Sequence, residues 1–204
     1  MDEAYKNQVK LLLDVLPEVA KEDCFAMHGG TAINLFVRDM PRLSVDIDLI
    51  YIEIRERNES LSRVEALKPG IRIQHKAKVC KLQLSDHGSQ IKIEVNMVGR
   101  GLFGQAKKVS LCGAAQDQFD SFCAMTLVSM GQLYGGKLCA ALDRQHPRDL
   151  FDVSLLLKNE GFSDEIREGF IFALVSSNRP THELLSPRLQ DQRIAFENQF
   201  EGMT

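Results

Sequence analysis

The chain has 204 residues, a formal net charge of −3 and 44% hydrophobic residues. This length permits one sizeable core or two small ones, and the composition excludes a disulfide miniprotein and a disordered tail. No apolar run reaches the roughly 18 residues of a membrane span, and the amino terminus has no signal-peptide pattern, so we expect a cytoplasmic location. The five cysteines include no CxxC pair and are expected to be reduced.

The first elements form a helix and then a strand, a glycine turn and a second helix. Apolar residues recur at helical spacing over residues 5–20, where Pro17 either kinks the helix or starts another. A short apolar run follows and ends at Gly29 and Gly30. Helical periodicity then resumes, with Thr31 near the helix start.

The segment VDIDLIYIE predicts a strand that carries two aspartates on one face. Its apolar residues alternate with Asp46 and Asp48, and a strand has a side-chain period of two. A helix-compatible stretch follows near residues 56–67. Three more strands are predicted at IRIQH, AKVCKLQL and QIKIEVNM, the last two joined by a hairpin turn at residues 86–88.

From about Asp120 the pattern is helical throughout. Helices are predicted at AMTLVSMGQLYGGKLCAALDR, at PRDLFDVSLLL, where Pro147 suits a first turn, and at SDEIREGFIFALVSS. The expected fold class is therefore α/β (α+β), with a mixed-sheet core at residues 1–115. A helical region at residues 116–204 is expected to pack on that core, without a separating linker.

Asp46 and Asp48 are the sharpest chemical feature of the sequence. Residues two apart on a strand point the same way, so their carboxylates can converge on divalent cations. Glu94 lies on the polar face of a neighbouring predicted strand and would complete a three-carboxylate site of the kind that two-metal phosphoryl transfer uses. The alternative is that all three are acids on a solvated face.

Other residues around this strand fit phosphate binding. Gly29, Gly30 and Thr31 lie where backbone N–H groups and a hydroxyl could hold a phosphate, although a simple turn with a Thr cap explains them as well. Arg42 and Ser44, just before the aspartates, are candidate phosphate contacts or solvated loop residues.

A charged block near residues 137–152 supplies cations. Lys137 and Arg144 are seven residues apart on one helical face, and Arg148 falls in the first turn of the next helix, so the three could bind a triphosphate. For Asp149 and Asp152 we favour a role in orienting these cations or capping the helix over direct catalysis.

Together HGGTAINL, RLSVDIDLI and KLCAALDRQHPRDLFDVSLLL resemble the AbiEii/AbiGii nucleotidyl transferase toxins, a branch of the DNA polymerase β-like nucleotidyltransferase superfamily. The likeness spans roughly residues 25–157. It implies that Gly29, Gly30, Asp46 and Asp48 bind Mg²⁺ and a nucleoside triphosphate, with Glu94 as third carboxylate. The Lys137 to Asp152 block resembles the family's downstream motif.

The expected activity is transfer of a nucleoside monophosphate from a triphosphate, with Mg²⁺ or Mn²⁺ as cofactor. Lys137, Arg144 and Arg148 would neutralise the leaving group, with Asp149 beside them. The resemblance implies an RNA end such as tRNA, or a protein, as acceptor, and a cognate antitoxin in a toxin–antitoxin or phage-defence pair. The alternatives are an NTP-dependent kinase on the same scaffold and a non-enzymatic protein- or RNA-binding module.

Overall fold

The computed structural model describes residues 1–53, 74–76, 79–86, 88–96 and 101–204. The predicted helix at 56–67 and the start of the predicted strand IRIQH lie outside these residues. Within the described part, no helix is both long and apolar enough to cross a membrane.

The helices and strands are numbered here in chain order over the described residues. The strands are β1 (Phe25–His28), β2 (Asp46–Tyr51), β3 (Gln74–Lys76), β4 (Val79–Asp86), β5 (Ser89–Asn96), β6 (Lys107–Ser110) and β7 (Ala124–Leu127). The helices are α1 (Glu3–Val19), α2 (Gly29–Ala32), α3 (Gly113–Phe119), α4 (Met130–Arg144), α5 (Pro147–Asn159), α6 (Asp164–Val175), α7 (Thr181–Leu185) and α8 (Arg193–Gln199). A π-helical turn at Ile33–Val37 directly continues α2.

The described strands form one sheet in the order β3-β4-β5-β2-β1-β7-β6. The β2–β5 and β1–β7 pairs are parallel, and the other pairs are antiparallel. The predicted hairpin joins β4 to β5, with Asp86 opposite Ser89. The mixed α/β fold class predicted from the sequence is thus confirmed.

Helix α1 runs unbroken through Pro17 and packs on the sheet. Its start is capped by Asp2, whose carboxylate accepts a hydrogen bond from the backbone N–H of Ala4 at 3.1 Å. The apolar stripe of the helix is buried and contacts β5 and β7; it consists of Val9, Leu12, Leu13 and Leu16. This stripe is part of the apolar core.

One sequence prediction is wrong at the start of the carboxy-terminal half. The residues AMTL, predicted as helix, form β7 beside β1, and α4 begins only after Ser129, whose hydroxyl accepts from the Gln132 N–H at 3.1 Å. Met125 and Leu127 are both buried, which is the period of a strand. A short apolar run fits both structures locally, and pairing with β1 decides between them. The sheet therefore includes residues beyond 115.

Helices α4 and α6 cross in close backbone contact at glycines. A Cβ built on Gly135 would collide with the backbone of Gly169, and one built on Gly169 would collide with that of Gly131. Only glycine allows this approach. The crossing fixes the position of α4, which carries Lys137 on its buried side.

Candidate active site

Strand β2 presents Asp46 and Asp48 on the polar face of the sheet. Ile47 and Leu49 alternate with them and are fully buried on the other face. Two carboxylates on one strand face, anchored by a packed apolar face, have a fixed separation and direction. We refer to Asp46 and Asp48 as the aspartate pair.

The strand register places the aspartate pair within a row of polar residues that crosses the sheet. Asp48 pairs with Glu94 on the parallel strand β5 and with His28 on the antiparallel strand β1. Glu94 pairs in turn with Lys81 on β4. Residues opposite one another on neighbouring strands share a face, so all four side chains lie on the face that holds the aspartates.

The environment of Asp48 disfavours its negative charge. Burial, together with the charges of Asp46 and Glu94, raises the pKa of Asp48 from 3.8 to about 6, although Lys137 and Lys92 act in the opposite direction. Burial and the nearby Lys137 also lower the pKa of His28 to about 4, so this imidazole is neutral at pH 7. A bound cation would offset the repulsion within the aspartate pair, and carboxylate oxygens are the donors that Mg²⁺ prefers.

Glu94 is adjacent to the aspartate pair, and Oε1 of its carboxylate faces two lysines. It forms ion pairs with Lys81 and with Lys92, the latter at 3.2 Å, and Lys92 also lies 3.9 Å from Asp46. Within the described residues, no group of three or more His, Cys, Asp or Glu side chains is arranged to hold a metal. Lys81 and Lys92 thus lie beside Glu94, and a metal-binding trio of Asp46, Asp48 and Glu94 stays a prediction.

The glycine turn closes directly against the aspartate pair. Gly29 has a φ of +78°, and a Cβ built on it would collide with the Asp48 carboxylate. A Cβ on Gly30 would lie 2.8 Å from Nη2 of Arg42 and 3.0 Å from Oγ of Ser44. A side chain at either position would collide with a neighbouring residue, so glycine fits both. The backbone of the turn lies beside the Asp48 carboxylate, and the turn joins a strand to a helix as predicted from the sequence.

Thr31 and Ser44 are buried and join the glycine turn to β2. The Thr31 hydroxyl donates to the backbone carbonyl oxygen of Asp46 at 2.5 Å and lies 3.0 Å from the Ser44 hydroxyl. Thr31 has no solvent exposure, and Ser44 is also buried. Their hydroxyls hold the turn against the strand, and this location does not support the predicted side-chain contacts with phosphate.

Arg42 is likewise enclosed in the protein. Its guanidinium donates to both carboxylate oxygens of Asp152, at 2.8 and 2.6 Å, and to the carbonyl oxygen of Leu43. Asn34 donates to the same aspartate at 3.0 Å and to the carbonyl oxygen of Gly30 at 2.9 Å. Arg42 is 1% exposed, so the structure does not support the predicted nucleotide contact and indicates a role in holding the turn.

Lys137, Arg144 and Asp149 complete a second cluster beside this one. Nζ of Lys137 lies 2.8 Å from Asp149 and 3.2 Å from Asp152, and Arg144 donates to Asp149 at 2.6 and 3.2 Å. Burial would raise the pKa of Asp149, but Lys137 and Arg144 outweigh it and lower that pKa to about 2. We call these residues the ion-pair network; it comprises Arg42, Lys137, Arg144, Asp149 and Asp152.

Arg148 connects the two groups of charges. It lies in the first turn of α5, with Pro147 at its start as predicted, and its guanidinium is 3.8 Å from Asp46. The positive charge of Lys137 acts to lower the pKa of both Asp48 and His28. The predicted cations Lys137 and Arg148 are thus near the aspartate pair, whereas Arg144 is held by Asp149.

Three residues of the site were not identified from the sequence. Lys81 and Lys92 bind Glu94, and Asn34 ties the glycine turn to Asp152. Lys92 and Glu94 share the polar face of β5 in sequence, which is a usable signal. Lys81 lies at the site because of the strand register, and Asn34 because of the π-helical turn. No local sequence pattern predicts either feature.

Comparisons with known proteins bear on the fold and the family of this chain. The structure is similar to MenT4, a nucleotidyltransferase toxin from Mycobacterium tuberculosis H37Rv, with a TM-score of 0.70 at 14% sequence identity. The match covers 93% of this chain and 73% of that one. A comparison with curated protein sequences gives no match. The family model described as "Nucleotidyl transferase AbiEii toxin, Type IV TA system" matches residues 10–203, so the chain belongs to the AbiEii nucleotidyltransferase toxins of type IV toxin–antitoxin systems.

Proposed function

We propose that this toxin transfers a nucleoside monophosphate from a nucleoside triphosphate to an acceptor hydroxyl and releases pyrophosphate. The observation that carries the proposal is the aspartate pair itself. Two carboxylates share one strand face, a glycine turn closes against Asp48, and Asp46 remains 30% exposed at its side chain. A phosphate and a cation can therefore approach the pair from the solvent-exposed side of Asp46, which we call the open side.

The aspartate pair is the proposed ligand of Mg²⁺, for which Mn²⁺ could substitute. The repulsion that raises the pKa of Asp48 is the physical reason to expect a cation there. When bound, the metal would neutralise phosphate charge and activate the attacking hydroxyl. Asp46 and Asp48 are the only metal ligands in this proposal.

The remaining residues bind and orient the substrate. The backbone of Gly29, Gly30 and Thr31 would hold phosphate oxygens through its N–H groups. Lys137 and Arg148 would neutralise negative charge on the leaving pyrophosphate. Arg144, Asp149, Asp152, Arg42 and Ser44 would fix the position of these groups through the contacts already described.

The proposed reaction is a single displacement at the α-phosphorus of the triphosphate. A bond forms between the acceptor oxygen and this phosphorus, while the bond to the oxygen that bridges to the β-phosphate breaks. The electron pair of the broken bond leaves with pyrophosphate. The proton of the acceptor hydroxyl passes to water on the open side of the site.

The acceptor is proposed to be an RNA end such as tRNA, or a protein, and the natural regulator is proposed to be a cognate antitoxin. Incubation with α-labelled triphosphate, followed by separate digestion with ribonuclease and protease, identifies the acceptor class. Loss of the label with ribonuclease alone supports RNA, and loss with protease alone supports protein.

Labelling position tests the reaction type against a kinase. Nucleotidyl transfer attaches α-label to the acceptor and leaves γ-label in pyrophosphate, whereas a kinase attaches only γ-label. An Asp48→Asn variant serves as the inactive control. Acceptor that carries γ-label in the wild type but not in this variant would contradict the proposal.

A further inference from the structure

We propose that Glu94 is a positioning residue that holds Lys81 and Lys92 for the phosphates of the bound triphosphate, and that it is not a metal ligand. This inference rests on the proposed function, because it assigns a role within the same site. It concerns the face of β4 and β5 that carries Lys81, Lys92 and Glu94, next to the aspartate pair on β2.

The strand register brings the three residues together. Glu94 lies opposite Lys81 on β4 and opposite Asp48 on β2, while Lys92 precedes Glu94 by two residues on the same face of β5. Glu94 forms ion pairs with both lysines. One carboxylate thus pairs with two ammonium groups, of which that of Lys92 lies 3.9 Å from Asp46 and that of Lys81 is one strand farther away.

Exposure distinguishes the lysines from their partner. The side chains of Lys81 and Lys92 are 44% and 40% exposed, whereas that of Glu94 is 21% exposed. The ammonium groups therefore remain accessible to a ligand from the open side, and the carboxylate lies beneath them. This arrangement suits a support for cationic groups better than a donor to a metal.

The charges lead to the same assignment. Burial would raise the pKa of Glu94, yet the neighbouring Lys81 and Lys92 outweigh it and lower that pKa. A divalent cation bound to Glu94 would lie against two ammonium groups, which repel it. The two lysines and one glutamate instead leave one surplus positive charge beside the aspartate pair.

A bound triphosphate needs a positive charge next to the aspartate pair. Its phosphates would otherwise meet the two aspartates in a partly buried site, where like charges repel strongly. A lysine ammonium is a compact point charge that can reach different phosphate oxygens. The ion pairs with Glu94 limit the conformations of the two long side chains and keep them near the site.

Metal binding gives the first test and does not depend on turnover. Binding of Mn²⁺ alone is measured by the electron paramagnetic resonance of the free ion in wild type, Glu94→Gln and Asp48→Asn. We expect Asp48→Asn to weaken Mn²⁺ binding by at least about tenfold, and Glu94→Gln to change it less than about twofold. An equal loss in both variants would overturn the inference and leave the proposed function standing. Unchanged binding in Asp48→Asn would contradict the proposed function.

Triphosphate affinity gives the second test. Titration of Lys92→Met with a non-hydrolysable triphosphate and Mn²⁺ is expected to show about tenfold weaker binding, and Lys92→Arg should restore most of it. Glu94→Gln should also weaken binding. Removal of a negative charge alone would strengthen it, so weaker binding identifies a positioning role. Unchanged or stronger binding in Glu94→Gln would overturn the inference.

A short RNA probe shows whether the lysines bind the phosphates of the triphosphate or those of an RNA acceptor. The fluorescence anisotropy of a labelled oligonucleotide is compared for wild type and Lys92→Met under the same conditions. We expect the triphosphate affinity to fall more than the RNA affinity. If Lys92→Met weakens RNA binding but leaves triphosphate binding intact, the lysines serve an acceptor and the assignment to the nucleotide is wrong.

Discussion

Asp48, which is half-buried, and Asp149, which is buried, are both aspartates of the candidate active site, yet their pKa values shift in opposite directions. Asp48 lies beside two other acids, and its pKa rises to about 6, whereas Asp149 lies between Lys137 and Arg144, and its pKa falls to about 2. The aspartate pair has excess negative charge, whereas Asp149 and Asp152 each pair with one arginine and share Lys137. Ligand binding is therefore expected at the pair, beside the charge of Lys137, and positioning is the expected task of the other residues of the network.

The largest expected effect is on activity when the aspartate pair is changed. Asp48→Asn removes a proposed metal ligand and should lower the transfer rate on the order of a thousandfold. The unfolding midpoint should not fall, because the substitution relieves repulsion from Asp46 and Glu94. Radiolabel transfer and thermal unfolding are measured on the same preparation. A variant that loses stability and activity together would place Asp48 among the structural residues.

The ion-pair network should respond mainly in stability. Arg42→Met leaves Asp152 buried with Lys137 and Asn34 as its partners among the described residues, so we expect a loss of about 3 kcal/mol in the free energy of unfolding. The control is Arg167→Met, which removes an exposed ion pair with Asp164 and should cost less than about 0.5 kcal/mol. Denaturant unfolding measures both. Equal losses in the two variants would remove the distinction between network and surface pairs.

A double substitution sharpens this comparison. Arg42→Met with Asp152→Leu removes both buried charges and should recover much of the stability lost in Arg42→Met, because an apolar pair can replace a buried ion pair. No recovery would mean that the hydrogen bonds to Asn34 and Leu43, rather than charge, hold this part of the turn.

A smaller effect is expected in the pH dependence of stability. The pKa of Asp149 is about 2 in the folded protein and 3.8 as its ordinary value, so the unfolded chain takes up the proton first on acidification. The stability from Asp149, on the order of 2 kcal/mol, is complete above pH 3.8 and is lost as the pH falls towards 2. Denaturant unfolding at several pH values, compared between wild type and Asp149→Asn, isolates this slope. Equal slopes in the two proteins would contradict the assignment.

The sequence predicted the parts of the site that follow local periodicity. Strand alternation placed Asp46 and Asp48 on one face, and the apolar pattern around residues 29–31 predicted the strand, turn and helix. Ion pairs between distant residues could not be predicted. Arg42 and Asp152 are 110 residues apart, and nothing near Arg42 marks it as buried. An arginine in a loop looks the same in sequence whether it binds a phosphate or an internal carboxylate.

The same limit explains the error at β7 and the unpredicted ion pairs of Glu94 with lysines. Ala124–Leu127 has too few residues for its period to exclude a helix, and only β1 makes it a strand. Glu94 was correctly placed on the polar face next to the aspartates, but its lysine partner on β4 depends on the hairpin register. Local pattern therefore gave the location of a charge, and tertiary pairing decided what that charge contacts.

The smallest expected effect tests the contact between the glycine turn and the aspartate pair. Gly29→Ala should cost about 1 kcal/mol of stability for its positive φ, and its methyl group should push the Asp48 carboxylate aside and lower activity about tenfold. Gly88→Ala is the matched control, since Gly88 has a similar φ of +83° and nothing within 4 Å of an added Cβ. Both variants should lose similar stability in denaturant unfolding, but only Gly29→Ala should lose activity. If Gly29→Ala transfers nucleotide as well as Gly88→Ala, the close approach at Gly29 is a requirement of the backbone alone, and the turn does not position Asp48.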